Sequence, residues 1–396
     1  QIKGANELLA GETDTLEGVE VVDDYTIKVT LKEPFAGFLA SISSPGVSIY
    51  DSEATEAAGD QFGMDPAVTV GTGPFEFSSW SFNNQLVLTR NEDYWKGASK
   101  LPGVVIKIIP DTETQSMMFE NGELDILDYV ADSVDRFTET YPDQIVQGPR
   151  VGIVYFTMNF NKEPFQDVRV RKAVQMSIDR QAILDALYGG RGQVEQGIFP
   201  HGLIGFNPDQ EEIKYDPEAA KALLAEAGYA DGFDMEIAAD SSASDTMTMA
   251  LEIVSDQLAE VGIRAEIKNY DESTWLETRK SGELGSFMST WSADYNDPDN
   301  FIYTFFGNEE KTKIRSINYL DTEVMARVAR ARTIVNEDER LAEYKALEEK
   351  IVHEDAAWVP MFSRLHLFAV SKRVEGFAPL WSGLSDQLFY NVSINE

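Results

Sequence analysis

The run Ser286-Phe287-Met288-Ser289-Thr290-Trp291-Ser292-Ala293-Asp294-Tyr295-Asn296-Asp297-Pro298-Asp299-Asn300 changes character halfway along. Its first six residues read as a strand, and the polar Asn-Asp-Pro turn that follows forces the chain out of strand geometry. Asp294 is thereby placed just past the strand's carboxyl end, where open α/β sheets hold ligands. A carboxylate beside an aromatic ring is suited to gripping a cation, which points to binding more than to catalysis. The same D-x-N-D-P cluster also suits a turn former or a helix cap, so the flanking sequence has to decide.

Upstream, Met247, Ala250, Leu251, Val254, Leu258 and Val261 recur at helical spacing before Gly262, and Ile263, Ala265 and Ile267 then alternate as a strand. A further helix runs from Asp271 to Gly282. Asp216-Pro217-Glu218 supplies a cap, an N1 proline and a first-turn acid for a helix that Gly228 closes, and two more helices start after Asp167 and Asp179, the second ending at Gly189-Gly190. Nearer the start, Tyr25 to Leu31 alternates as a strand, with Ile27, Val29 and Leu31 on one face. Gly71-Thr72-Gly73-Pro74 leads into another strand, and Leu86 and Leu88 mark the next. The glycine pair is no phosphate loop, since no Lys-Ser/Thr follows and no helix opens. Residues 104–109, 112–121 and 124–126 read as strand, helix and strand, and the uninterrupted apolar run 104–109 implies cover on both sheet faces. Downstream, Leu341, Tyr344, Leu347 and Ile351 form one face of a charged, peripheral helix. Residues 356–362 and 365–370 look like strands returning to an earlier sheet.

At 396 residues, 43% hydrophobic and 11% aromatic, the chain has material for more than one lobe. Its 68 carboxylates against 33 Lys plus Arg give a net charge of −35, which repels phosphate backbones and anionic membranes and excludes nucleic acid as a partner. Absent cysteine rules out disulfides, thiolate metal sites and a thiol nucleophile. No stretch approaches the roughly 18 apolar residues of a membrane span. The chain has no G-x-S-x-G or H-E-x-x-H motif.

Several further runs carry a resemblance: Gly71-Thr72-Gly73-Pro74-Phe75 with Trp80, Arg90-Asn91-Glu92-Asp93-Tyr94-Trp95-Lys96-Gly97, Asn121-Gly122-Glu123-Leu124-Asp125-Ile126, Pro164-Phe165-Gln166-Asp167-Val168-Arg169-Val170-Arg171-Lys172-Ala173, Ile178-Asp179-Arg180, Trp291 through Asn300, and Glu354-Asp355-Ala356-Ala357-Trp358-Val359-Pro360. With them the chain resembles, over nearly its whole length, the family 5 extracellular solute-binding proteins, the peptide, nickel and dipeptide receptors of bacterial ABC importers. The resemblance implies an α/β, periplasmic-binding-protein-like (type II) clamshell: two large lobes joined by hinge segments, with a smaller third lobe. Residues 1–70 would complete the small lobe and return to the first large lobe, 71–155 form that first lobe, 156–364 the second, and 365–396 a return to the first. Relatives begin with a longer portion, so a missing N-terminal segment, carrying any membrane anchor, is expected.

For function the resemblance implies a monomeric, extracytoplasmic receptor that is not an enzyme, needs no cofactor, encloses a peptide ligand between closing lobes and hands it to an ABC transporter permease. Asp294 would pair with the ligand's free amino group, Trp291 would line the adjacent pocket, and Ala293 and Tyr295 would flank it. Arg279 is matched to a cationic contact for the ligand carboxylate, or is a surface helix charge. Trp275 is a pocket wall or a core residue, and Met288 stands where some relatives place a second arginine. Two rivals stay open. One is a nickel or metal-chelate receptor, although His201, His353 and His366 lack ligand spacing and read as surface or loop residues. The other is a hydrolase using Asp294, Asp297 and Asp299 as acid and base.

Overall fold

The computed structural model describes residues 1–128, 134–382 and 389–395. Contacts divide the chain into two units, Gln1–Ser43 with Val151–Ser363, and Ser44–Arg150 with Arg364–Glu396.

In the first unit the strand Gly152–Thr157, buried along its whole length, lies between two antiparallel partners, Phe287–Ser292 and the first part of Trp358–Val370. Met288 and Val359 both stand opposite Phe156, so three apolar side chains meet across the sheet. A parallel pair, Phe233–Asp240 and Ile263–Tyr270, is joined by the helix Asp245–Glu260, whose Ala250, Leu251, Val254 and Leu258 form the buried stripe that the spacing predicts. Both of these strands start at a glycine of positive φ, Gly232 and Gly262. A Cβ on Gly232 would collide with the Gly262 carbonyl, so the strands can begin side by side only without it. The helix Val168–Ser177 and the helix Arg180–Tyr188 contribute Val170, Val174, Ile183 and Leu184 to the same core.

Two expectations for this unit are corrected. The helix Glu337–Glu348 is not peripheral: Arg340, Tyr344 and Leu347 are buried, because the helix packs on Thr322–Ala331 and its arginine meets an internal carboxylate. The two strands expected over 356–370 are one strand, Trp358–Val370, with a register shift between Pro360 and Phe362. A bulge there accommodates a proline that an unbroken ladder would exclude.

In the second unit, Phe75–Ser81, Gln85–Arg90 and Gly103–Lys107 form an antiparallel three-stranded sheet. The last strand corrects another expectation. Its apolar run is not covered on both faces: Val105 and Ile106 are 54% and 41% exposed. It is an edge strand of an antiparallel meander, where one-sided or absent cover is allowed, and not part of a parallel α/β layer. The helix Thr112–Glu120 is capped by Asp111 and stopped at Gly122, φ +75°. Ile126–Asp128 and Ile145–Pro149 each pair antiparallel with residues 365–370, over a small core of Phe119, Leu127, Phe137, Leu367 and Ala369.

Candidate functional site

The strand Phe287–Ser292 continues one residue beyond its ladder, where the buried Ala293 donates its N–H to the Val151 carbonyl at 2.9 Å. Asp294 lies just past the carboxyl end of this strand, as the sequence places it, but the strand's partner Gly152–Thr157 runs antiparallel to it. What fixes Asp294 is Asn300, buried in the first turn of the helix Asp299–Phe306. Asn300 Oδ1 accepts from the Asp294 N–H at 3.1 Å and from Trp291 Nε1 at 3.2 Å, while its Nδ2 donates to Asp294 Oδ2 at 3.0 Å. One amide thus holds the indole and the carboxylate in a set relation. Asp294 is exposed, and among the described residues no cationic side chain pairs with it.

Its acidic neighbours are arranged differently. Asp297, 4% exposed, receives both contacts of the Arg340 guanidinium at 2.9 Å and accepts the Asp299 N–H through Oδ1. Asp299, 2% exposed, lies 2.7 Å from Arg332 Nε in an ion pair too poorly aligned to count as a hydrogen bond. Burial pushes the Asp299 carboxyl up despite that guanidinium. Arg332 is itself stacked on Tyr303 at 3.6 Å. Tyr295 is half-buried and turns its hydroxyl to Asp299 at 3.3 Å, and burial raises its pKa. Asp297 and Asp299 are therefore neutralised inside the protein and cannot serve as an open acid–base pair with Asp294.

Trp275, on the helix Glu272–Ser281, is buried edge-on against Phe287 at 5.3 Å. One turn on, the half-buried Arg279 places its guanidinium 4.9 Å from the Trp275 ring. A residue that the sequence did not single out, Arg315, places its own 4.7 Å from the Trp291 ring and 5.2 Å from Phe305. Burial lowers the pKa of Arg279; nearby Tyr155 opposes that and Arg315 adds to it. The Tyr155 hydroxyl is raised by burial, with Ser289, Arg315 and Arg279 pulling the other way. Ser316, the residue after Arg315, donates its Oγ to the Arg279 carbonyl at 2.8 Å, and Phe305, 5.2 Å from Arg315, packs edge-on against Tyr155 at 5.2 Å, so Tyr155, Arg279 and Arg315 share one locale. Met288 is buried in the core and offers nothing to a ligand.

The three histidines go to separate partners. His201 Nδ1 meets the buried Glu195 at 3.0 Å, and His353 Nε2 faces the Gln196 carbonyl at 2.9 Å. His366, expected at the surface or in a loop, is a buried strand residue bonded to the Ser382 carbonyl at 3.0 Å. A cavity of about 140 Å³ lies among Glu195, His201, Asn207, Gln210 and Glu348. Burial pushes the Glu348 carboxyl up to about 8. Among the described residues Glu211, Glu349 and His353 are the group whose ligand atoms approach one another closely enough for a metal ion.

Residues 3–313 match the bacterial extracellular solute-binding proteins, family 5 middle, and the chain belongs to this family of non-enzymatic solute-binding proteins. It is 32% identical over 391 residues to heme-binding protein A of Haemophilus influenzae, covering 96% of this chain and 70% of that protein. It is 28% identical over 397 residues to the dipeptide-binding protein of Escherichia coli, covering 97% and 72%. Among solved structures, HbpA2 from Haemophilus parasuis superposes with a TM-score of 0.83 at 28% identity over 99% of this chain and 78% of that one. DppA from Helicobacter pylori in complex with the peptide STSA gives 0.77 at 27% identity, covering 96% and 74%. The mixed α/β fold is thus shared over nearly the whole chain, and the family places the protein outside the cytoplasm as the solute receptor of an ABC importer.

Proposed function

We propose that the solute is a short peptide, held by its free amino group on Asp294 beside Trp291 and handed on to the importer's permease. The observation that carries this reading is the contrast among three neighbouring acids. Asp297 and Asp299 are consumed by Arg340 and Arg332, whereas Asp294 is oriented by Asn300 and has no counter-charge among the described residues. A carboxylate accepts at about four lone-pair positions, and Asn300 uses one of them. A protonated amine arriving there exchanges its hydration for charge-assisted hydrogen bonds. Ala293 and Tyr295 flank the anchor through the backbone, Trp291 supplies an apolar wall, and Arg279 offers charge to the opposite end of the ligand.

A second reading is favoured by the 32% identity to a heme-binding protein. Haem has carboxylates but no amine, so it would use the arginines and leave Asp294 idle. Calorimetry separates the two. Asp294→Ala should reduce affinity for a free dipeptide at least ~10-fold, the scale of one charge-assisted bond, and N-acetylation of the dipeptide should do the same to the unsubstituted protein. Undiminished binding in both arms removes the amine anchor.

A further inference from the structure

In this chain acids outnumber bases two to one, 68 to 33, so an arginine has no difficulty finding a carboxylate. Arg332, Arg340, Arg327 and Arg136 each do so. The buried Arg171 and Arg180 turn instead to backbone carbonyls. Arg279 and Arg315 do neither: among the described residues their guanidiniums have no hydrogen bond or ion pair, and the Nε of each is shielded from water without a partner. Leaving two like charges half-buried in one locale without compensation is costly, and each is held against an indole, Trp275 and Trp291 respectively. Attraction to a ring face fixes a guanidinium without occupying its in-plane N–H donors. The terminal amines, not being among the shielded atoms, remain open to an incoming fork of oxygens.

We propose that Arg279 and Arg315 form a dicarboxylate subsite, and that Arg315 makes the receptor prefer ligands with two acidic groups over otherwise identical neutral ones. The subsite rests on the reading of the Trp291 face as the ligand site, but not on the ligand's being a peptide. Two carboxylates can come from a short acidic peptide, through its C-terminus and a side chain, or from the propionates of haem. Either presents two planar anions to two planar cations and relieves the repulsion between the guanidiniums. Met288 is apolar and Trp275 buried, so no other described side chain named at this face supplies positive charge.

The test uses the whole chain, unfolded to strip bound solute and refolded, with Trp fluorescence and calorimetry as readouts. The first probes are the near-isosteric dipeptides Ala-Glu and Ala-Gln, and the second are haem and its dimethyl ester. Ala-Glu is expected to bind about tenfold or more tighter than Ala-Gln. Arg315→Gln should bring that ratio close to one, and Arg315→Lys should restore part of it as a point charge. If Ala-Glu and Ala-Gln bind equally well to the unsubstituted protein, the subsite is overturned and the Asp294 anchor stands. If neither dipeptide binds but haem does, with the dimethyl ester and Arg315→Gln each weakening it about tenfold, the peptide reading falls and the subsite stands. Equal binding of haem and its ester in that case overturns both. Should Arg315→Gln fail to fold, the Ala-Glu to Ala-Gln ratio of the unsubstituted protein decides alone.

Discussion

Replacing Asn300 by Ala tests whether the site is built by one buried amide. The substitution deletes the acceptor for Trp291 Nε1 and the Asp294 N–H, and the donor to Asp294 Oδ2, three bonds of 3.0–3.2 Å. At about 0.5–1.5 kcal/mol net per bond, and with water able to replace part of the loss at the exposed Asp294, the cost to stability should be about 1–3 kcal/mol. Binding should suffer separately, because the carboxylate and the indole are then no longer held ready. Ordering each freed side chain costs about 0.5–1.5 kcal/mol on association, so the two together weaken dipeptide affinity by about 5- to 150-fold. Urea unfolding measures the first effect and calorimetry the second. Asn300→Asp, of the same size, sharpens the result: it removes the donor and sets a second, buried carboxyl against Asp294, so its deficit should grow as pH rises through that carboxyl's raised pKa. Unchanged dipeptide affinity and an unchanged Trp emission spectrum in Asn300→Ala would refute the idea that Asn300 pre-organises the site.

Two further outcomes concern the frame around it. Arg340→Met leaves Asp297 buried without the Nη1 that donates to both its oxygens and should destabilise the protein by about 3–5 kcal/mol in urea titration; a loss under about 1 kcal/mol would show that Asp297 relaxes to water. Glu348, buried and held up to about 8, stays protonated in the folded chain after it has ionised in the unfolded one, so it lowers stability as pH rises from about 4.5 to about 8. Glu348→Gln should therefore raise the melting temperature at pH 8 and much less at pH 4.5, and equal effects at both would contradict the assignment.

Much of the local structure was legible because it is enforced within a few residues. Asp167, Asp179, Asp216 and Asp271 each accept from an N–H two or three residues on and start the helix that the sequence predicts. Gly122, Gly189, Gly228, Gly262 and Gly282 take the positive φ that ends one. Pairing was less legible. The run 104–109 is apolar throughout, but whether a strand is covered depends on which elements lie above and below it, and its antiparallel edge position leaves Val105 and Ile106 open. The helix Glu337–Glu348 carries the charges of a surface helix, yet Arg340 points inward, because its counter-ion comes from the distant Asp297. No window of sequence contains both partners. Arg315 was invisible for the same reason: it stands in an irregular loop with no periodicity, and only the fold brings it over Trp291.

The site itself turns on distinguishing a turn former from a ligand group at Asp294. An aspartate that shapes a turn or caps a helix does so by accepting a backbone N–H two or three residues on. Asp297 performs that service, taking the Asp299 N–H at 2.9 Å. Asp294 does not: among the described residues its carboxylate receives a single bond, from the side chain of Asn300, and that residue is in turn occupied with holding Asp294's own N–H and the Trp291 indole. The bond therefore aims the carboxylate without shaping the chain, since the turn at Asp297-Pro298-Asp299 is already closed by other groups. A side chain oriented by a buried neighbour, relieved of the local role its residue type usually fills and left without the cation that each nearby acid receives, is available to a charge from outside the protein.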